Sequence, residues 1–266
     1  MIYSYSQISQ YLACPRSYRH RYLEGWKERD TRANLVFGRV FEQALSSYFR
    51  REDSAQRLHD EWAKFRSAEL DYGRSDTWDS MLTQGVMLLE RFCQENRVQV
   101  LNPESHVQVK VTRQLSPQSQ FVSYVDAIGE LDGTPSIIEW KTTSARYVEE
   151  PSNLLALDPQ LLCYSWMTGQ PSVAMVVFVR KRTPEIQYLQ TTISQDQRER
   201  YAELVEDTIR QIESASFLPH TGIRFPRNGC VSCPFIGLCL GRQDLMTSKL
   251  VQDRGGELDW IDELDC

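Results

Sequence analysis

The stretch from residue 124 to residue 141 most constrains how this chain can fold. Its letters, YVDAIGELDGTPSIIEWK, contain two apolar runs that are separated by Asp132 and Gly133. An Asp-Gly pair between two such runs is a strong signal for a tight hairpin turn. The sequence therefore predicts two antiparallel strands that are joined at this turn.

The hairpin is expected to bring three ionisable side chains together. Pairing about the turn sets Asp126 beside Glu139 and Lys141, and the two-residue repeat of a strand puts Trp140 on the opposite face. Two carboxylates next to an ammonium group suit a hard cation that activates water. A polar sheet face with a surface salt bridge is the alternative that these residues alone leave open.

The composition is that of a globular protein with a substantial core. The chain has 266 residues, of which 41% are hydrophobic and 25% are charged. It has no apolar run of the ~18 residues that suggest a membrane helix, and its N-terminus lacks the layout of a signal peptide. We therefore expect a cytoplasmic (intracellular) protein without a membrane partner. In that compartment the seven cysteines are expected to be thiols or metal ligands.

The net charge of −6 does not exclude nucleic acid, because it is unevenly distributed. Residues 251–266 hold six acidic side chains against one arginine, which predicts a flexible acidic tail, with docking to a basic partner as the alternative. The helix expected after Pro15 interleaves arginines with tyrosines, a pattern typical of single-strand binding. Its candidate DNA-binding residues are Arg16, Tyr18, Arg19 and Tyr22. An amphipathic helix with packed tyrosines and solvated arginines is the alternative.

The order of the expected elements predicts an α/β fold with a mixed central β-sheet flanked by helices. A short first helix is expected to be capped by Ser4 or Ser6 and to end at Leu12. Further helices are expected after Pro15 and at 34–51, 54–72, 77–95, 154–168 and 195–214. Strands are expected at 105–115, 121–128, 136–143, 172–180 and 186–192. We expect a single domain over residues 1–250, with an N-terminal helical insertion at about 34–98 and a sheet core at about 104–214. A cysteine-rich lobe is expected from residues 1–33 and 217–245.

Three cysteines near the C-terminus have the spacing of metal ligands. Cys230 and Cys233 form a CxxC pair, and Cys239 follows within the same ten residues. A tetrahedral zinc ion or an iron–sulfur cluster needs a fourth ligand. Cys14 is the preferred candidate because a proline follows it, as one follows Cys233. The other candidates are Cys93, Cys163, Cys266 and the histidines.

Together, these motifs resemble the PD-(D/E)XK nucleases, specifically the RecB-type exonucleases with a cysteine cluster. That group includes CRISPR-associated spacer-processing nucleases and the nuclease domains of AddB-type proteins. Asp126 matches the first acid of the motif, Glu139-Trp140-Lys141 matches ExK, and Gln160 with Tyr164 matches QxxxY. The resemblance covers nearly the whole chain and implies a restriction-endonuclease-like core.

The resemblance also implies a divalent metal site. One or two Mg²⁺ or Mn²⁺ ions are expected on Asp126, Glu139, the backbone carbonyl of Trp140 and Glu42. Relatives usually carry a histidine where this chain has Glu42, four residues after Gly38, so this position departs from the pattern. From the residues alone, Glu42 is either solvated or near a metal, and a glycine within this helix suggests close approach of another element.

The remaining roles follow from the same resemblance. Lys141 is expected to orient the attacking water or to offset negative charge, and Gln160 to position Lys141 or the phosphate. Tyr164 is assigned to the DNA backbone, with core packing as the alternative. Cys14, Cys230, Cys233 and Cys239 are expected to hold a [4Fe–4S] cluster, with Zn²⁺ as the second choice.

The function implied is that of a metal-dependent DNA exonuclease acting on single-stranded DNA or DNA ends. Recombination or repair, replication and CRISPR-type processing are the candidate pathways, and a helicase or another DNA-processing protein is a candidate partner. The alternative is a nuclease-weakened DNA-binding or assembly subunit of a larger complex, because Glu42 departs from the usual pattern.

Overall fold

The computed structural model describes residues 1–29, 31–73, 76–150, 153–219 and 229–252. Its strands are Ile2–Ser4 (β1), Trp26–Glu28 (β2), Thr31–Arg32 (β3), Leu70–Asp71 (β4), Val98–Gln99 (β5), Val107–Ser116 (β6), Ser119–Leu131 (β7), Thr134–Thr143 (β8), Ser172–Val179 (β9), Glu185–Thr192 (β10) and Leu250–Gln252 (β11). Its α-helices are Tyr5–Ala13 (α1), Pro15–Tyr18 (α2), Ala33–Phe49 (α3), Ser54–Ala63 (α4), Trp78–Glu95 (α5), Pro103–His106 (α6), Pro159–Thr168 (α7), Gln195–Glu213 (α8), Ile236–Leu240 (α9) and Gln243–Lys249 (α10). A π-helix, Arg19–Leu23, continues α2, and a 3₁₀ helix, Leu154–Leu157, precedes α7.

A mixed sheet forms the centre of the molecule. Strand β8 pairs antiparallel with β7 and parallel with β9, and β10 pairs antiparallel with β9. The long strand β7 also pairs with β6 and β5, and the short strand β1 runs parallel to its first part. Helices cover both faces of this sheet, so the predicted α/β class with a mixed central sheet is confirmed.

One edge of β7 is shared by two strands that do not meet. On the side opposite β6, β1 pairs with residues 120–122 and β8 pairs with residues 127–131. Residues 123–126 of β7 therefore have no strand partner on that side within the described ranges. This notch in the sheet lies where β7 carries Asp126.

The hairpin that the sequence predicts is present. Leu131 pairs with Thr134, and the two residues between them, Asp132 and Gly133, have φ angles of 50° and 78°. Positive φ at both central positions defines the type I′ turn, whose twist matches that of the flanking strands. The turn fixes the register that continues to the pair Ala127 and Ile138, one step from Asp126 and Glu139.

Trp140 points to the packed face of β8, opposite the face that carries the ionisable residues. Its ring stacks on Phe49 of α3 at 5.9 Å between centroids and also contacts Phe92 of α5. Because neighbouring residues of a strand point to opposite faces, Glu139 and Lys141 face away from this cluster. That face is covered by α7, whose Leu161 and Tyr164 join the core with Val125 and Ile137.

Some predicted helices end earlier than the sequence pattern suggested. The helix expected over 54–72 ends at Ala63, and residues further on form β4, which pairs with β3. The helix expected over 154–168 is interrupted at Asp158, because Pro159 starts a new helix as its first residue. The helix after Pro15 changes into a π-helix at Arg19.

The last strand of the described chain, β11, lies against the N-terminal region. Strand β11 pairs with β2, and the backbone N–H of Arg29 donates to the carbonyl of Lys249 at 2.8 Å. The domain boundaries expected from the sequence remain a prediction. Of the acidic tail expected over residues 251–266, the first two residues belong to β11 and the rest lies outside the described residues. Each described helix is too short or too polar to cross a lipid bilayer.

Candidate active site

Asp126 lies at the notch and replaces a missing strand partner. Its carboxylate Oδ2 accepts a hydrogen bond of 2.8 Å from the backbone N–H of Trp140, so the side chain of β7 completes a contact of β8. Burial raises the pKa of Asp126 well above its usual value, and the nearby charges of Glu139 and Glu42 raise it further. Three carboxyl groups are thus held near one another, and water is largely excluded from two of them, Asp126 and Glu139.

Glu139 and Lys141 form an ion pair beside Asp126. Glu139 is 2% exposed, and its Oε1 accepts a hydrogen bond from the Lys141 ammonium. Burial alone lowers the pKa of Lys141, but the charges of Glu139 and Asp126 outweigh that effect and raise it. Lys141 therefore carries its positive charge throughout the physiological pH range.

A hydrogen-bonded chain leads from Lys141 into α7. The Lys141 ammonium donates to Gln160 Oε1 at 2.7 Å, and Gln160 Nε2 donates to the Tyr164 hydroxyl at 2.8 Å. Tyr164 is 2% exposed and packs in the core, as the alternative expected for it describes. The contact with the DNA backbone that the resemblance implies stays a prediction, and in the structure the hydroxyl of Tyr164 fixes the amide of Gln160.

Asp158 sets the position of Gln160 and was not recognised from the sequence. Its carboxylate caps α7 by accepting the backbone N–H groups of Gln160 at 2.9 Å and Leu161 at 3.0 Å. This is the usual role of an aspartate at a helix N-terminus, and the Asp-Pro pair that begins the helix was the available signal. A break in the helix at this point places Gln160 in the first turn of α7.

Helix α3 brings Glu42 to the same group of carboxylates. Its glycine, Gly38, lies so close to β8 that a Cβ atom there would stand 3.2 Å from Thr142 Oγ1, which agrees with the close approach expected for this residue. Gln108 of β6 donates a hydrogen bond from Nε2 to Glu42 Oε1. Gln108 has a φ of 56°, a conformation that costs free energy in a non-glycine residue, and no sequence motif marked it.

The oxygens of Asp126, Glu139 and Glu42 are of the type that binds a hard divalent cation. In the structure these side chains contact protein groups. Glu139 Oε2 is buried and has no hydrogen-bond partner, which is costly for a carboxylate unless a cation or proton is near. In the described ranges no three His, Cys, Asp or Glu side chains are arranged so that they could hold a metal ion. The oxygens instead accept from Lys141, Gln108 and the Trp140 N–H. Carboxylate oxygens are the ligands that Mg²⁺ and Mn²⁺ prefer.

Comparison with known proteins identifies the family of this arrangement. The family model of the PD-(D/E)XK nuclease superfamily matches residues 2–240. The chain belongs to the PD-(D/E)XK nuclease superfamily. Its mixed sheet flanked by helices fits the core of that superfamily, and membership makes the protein a nucleic-acid hydrolase by family.

One solved structure supports the same fold. A crystal structure of a protein from Eubacterium rectale, described as a "Putative exonuclease", aligns with a TM-score of 0.54 over 97% of this chain and 91% of that chain. The sequence identity is 12%, so this likeness concerns the fold alone. A second structure, that of the protein SSO0001, covers 89% of this chain and 95% of that chain at 16% identity, but its TM-score of 0.36 supports no inference. No curated protein matches the chain significantly.

The four cysteines expected to bind a cluster share one neighbourhood of this nuclease. Burial raises the pKa of Cys233, and the neighbouring thiols of Cys239, Cys14 and Cys230 raise it further. Cys14 caps the short helix α2, and Cys239 lies on α9 with its sulfur 3.9 Å from His20 Nε2. None of the cysteines in the described ranges is in a disulfide, and Cys266 lies outside those ranges.

The expected DNA-binding residues differ in exposure. Tyr18 is 5% exposed and packs between Tyr11 and Phe217, so it has no free face for a base, and its expected stacking role is wrong. The ring of Tyr22 is half-buried against Tyr18 at 5.0 Å. Arg16 interacts with Cys239, and Arg19 pairs with Glu24 at 2.7 Å.

Proposed function

We propose that this PD-(D/E)XK protein is a metal-dependent DNA exonuclease that hydrolyses phosphodiester bonds on single-stranded DNA or DNA ends. The observation that carries the proposal is the buried pair Asp126 and Glu139 beside the charged Lys141, at a notch in the sheet. Burial of two carboxylates costs free energy that packing does not repay, so a functional role explains it better than a structural one.

Asp126, Glu139, the backbone carbonyl of Trp140 and Glu42 are the groups that would hold Mg²⁺ or Mn²⁺. A bound metal ion lowers the pKa of its water and offsets charge on the phosphate. Lys141 donates its N–H groups to the attacking water or to a phosphate oxygen, since its charge is retained at neutral pH. Gln160 positions the Lys141 side chain or the scissile phosphate, and Tyr164 holds the amide of Gln160 in place.

Cys14, Cys230, Cys233 and Cys239 are proposed to bind a [4Fe–4S] cluster, with Zn²⁺ as the second choice. Their thiols are neighbours, and four sulfur ligands satisfy either group. The site would tie the N-terminal segment to the C-terminal segment, which already contact each other through β2 and β11. Recombination or repair, replication and CRISPR-type processing are the candidate pathways, with a helicase or another DNA-processing protein as partner.

The proposal is tested by incubating the purified protein with end-labelled single- and double-stranded DNA and Mg²⁺ or Mn²⁺. Cleavage from an end, abolished by EDTA, is expected. Glu42→Gln should reduce the rate by about 10- to 100-fold, the effect typical of losing a group that supports a metal site. The matched control is Glu90→Gln, on the exposed side of α5.

The outcomes separate the candidate functions. Cleavage by Glu42→Gln at the wild-type rate would show that Glu42 is not a ligand. A wild-type protein that binds DNA but does not cleave it with either metal would favour the DNA-binding or assembly subunit.

The cluster has its own test. Protein purified without oxygen is expected to contain about four iron atoms per chain and to absorb visible light, whereas Cys233→Ser should lose the metal. Cys93→Ser is the control, because Cys93 lies on α5 away from the other thiols. Zinc in place of iron would select the second choice, and equal metal loss in both variants would contradict the assignment.

A further inference from the structure

The segment that follows β8, residues 144–150, runs from the candidate active site across the edge of the sheet to β10. Lys141 pairs with Val177 of β9, and Val177 pairs with Gln187 of β10, so these three residues form one row across the sheet. Neighbouring strands are ~4.8 Å apart, which places the backbones of Lys141 and Gln187 about 10 Å from each other. The segment crosses this distance within six residues of Lys141 and reaches Gln187 at Tyr147.

Gln187 holds the backbone of Tyr147 on both sides. The N–H of Tyr147 donates to Gln187 Oε1 at 2.8 Å, and Gln187 Nε2 donates to the Tyr147 carbonyl at 3.2 Å. The same Nε2 donates to Glu149 at 2.7 Å, and Arg146 pairs with Glu149 and Glu185. Gln187 is buried, so its amide already holds the segment in place before a ligand binds. Binding at this segment then costs little conformational entropy.

Tyr147 is fixed at its backbone, and the residue is partly exposed. The side chain is 36% exposed, although the backbone on which it stands is fixed by a buried amide. Its hydroxyl lies within electrostatic reach of Lys141, Asp158 and Glu139, and burial together with the two carboxylates raises the pKa of Tyr147 while Lys141 lowers it. A partly exposed aromatic ring that stands on a fixed backbone near the reactive groups can receive a flat ligand.

We propose that Tyr147 stacks on an unpaired nucleobase next to the scissile phosphate and thereby selects unpaired DNA. The inference rests on the function proposed above and names the substrate class of that same site. Every base has a π-face, so such stacking tolerates any sequence. In a duplex the faces of a base are covered by its neighbours, and an aromatic side chain reaches one only where the strand is single or frayed. Gln187 is the positioning residue for the Tyr147 ring.

The test measures DNA binding without cleavage. Fluorescence anisotropy in EDTA compares a labelled thymidine strand with an abasic strand of the same length, about twelve nucleotides, which lies within the usual size of single-strand sites. The abasic strand keeps every phosphate and lacks every base. Tyr147→Ala should weaken binding of the thymidine strand by about 5- to 100-fold, the range for loss of base–aromatic stacking, and leave the abasic strand within about twofold.

Matched variants isolate the ring. Tyr147→Phe keeps the ring and is expected to bind the thymidine strand as the wild type does. Val148→Ala removes a neighbouring apolar side chain that is 70% exposed and should change neither affinity. Gln187→Ala should weaken binding of the thymidine strand but not of the abasic strand, because it removes the hydrogen bonds that position Tyr147 and no group that contacts DNA. The melting temperature of this variant checks that it is folded.

Two results would overturn the inference: a wild-type protein without preference for the thymidine strand, or a Tyr147→Ala variant that loses affinity for both strands equally. The second result would mean that Tyr147 only shapes the segment. Because binding is read without hydrolysis, a protein that cleaves DNA but shows no Tyr147-dependent preference refutes this inference alone. A protein that shows the preference but cannot cleave refutes the exonuclease proposal alone.

Discussion

Replacing Lys141 with alanine is expected to lower the rate of DNA hydrolysis by about 100- to 1,000-fold, the cost typical of removing one donor that stabilises developing charge. Lys141 is the cation that the fold holds between Glu139 and Gln160, and its raised pKa keeps it charged during the reaction. Single-turnover hydrolysis of end-labelled single-stranded DNA, with saturating Mn²⁺, measures the chemical step without product release.

The variant removes a partner of a buried carboxylate, so its folding must be checked separately. Melting curves without metal should show some destabilisation, because Glu139 is left unpaired. Lys141→Met keeps the length of the side chain and should lose activity to the same extent. Lys181→Ala removes a lysine that pairs with Glu185 at 2.7 Å and should hydrolyse DNA at the wild-type rate. A folded Lys141→Met variant with more than a tenth of wild-type activity would show that the lysine is structural.

The sequence allowed the hairpin and its three ionisable residues to be predicted because both depend on local rules. An Asp-Gly turn and a two-residue repeat determine which residues of β7 and β8 are opposite each other. The same local reasoning located α7 and the spacing of Gln160 and Tyr164 on it. It left open whether Tyr164 contacts DNA or packs in the core, because burial depends on what packs over a helix rather than on the pattern of that helix.

The parts that local rules miss are contacts between distant segments. The notch is the gap on the β7 edge between residues 120–122, which pair with β1 from the start of the chain, and residues 127–131, which pair with β8. Gln108 reaches Glu42 only through an unusual backbone conformation in β6. Tyr18 has the pattern of a base-stacking residue, yet it packs on Phe217, about two hundred residues away in sequence. Such packing across the chain overrides a pattern that is read along it.

The notch also explains why the candidate site is costly to fold. Where a strand edge lacks a partner, backbone groups need another acceptor, and Asp126 provides it for the N–H of Trp140. That role fixes the carboxylate close to Glu139 and Glu42, where mutual repulsion opposes ionisation. The metal-free protein therefore stores free energy that a divalent cation can release on binding. Stability and metal binding should consequently be coupled through this one side chain.

Replacing Asp126 with asparagine is expected to stabilise the metal-free protein while abolishing both hydrolysis and stabilisation by metal. Asparagine keeps an oxygen for the Trp140 N–H and carries no charge. The pKa of Asp126 is raised in the folded state, so its favourable contribution is present below its unfolded pKa of about 3.9 and is lost as the pH rises through the folded pKa. In EDTA, the wild type should therefore lose stability as the pH rises above about 4, and the variant should lose less.

Melting temperatures in EDTA and in Mn²⁺ at several pH values measure both effects. Each kcal/mol gained in the free energy of unfolding raises the melting temperature of a domain of this size by about 2–4 °C. The variant should therefore melt several degrees higher than the wild type in EDTA near neutral pH. Mn²⁺ should raise the melting temperature of the wild type and leave that of the variant nearly unchanged. Asp132→Asn is the control, because that exposed carboxylate pairs with Arg97 in the hairpin turn and its pKa is lowered. If Asp126→Asn melts lower than the wild type in EDTA, the carboxylate is a structural group and the store of free energy proposed at the notch does not exist.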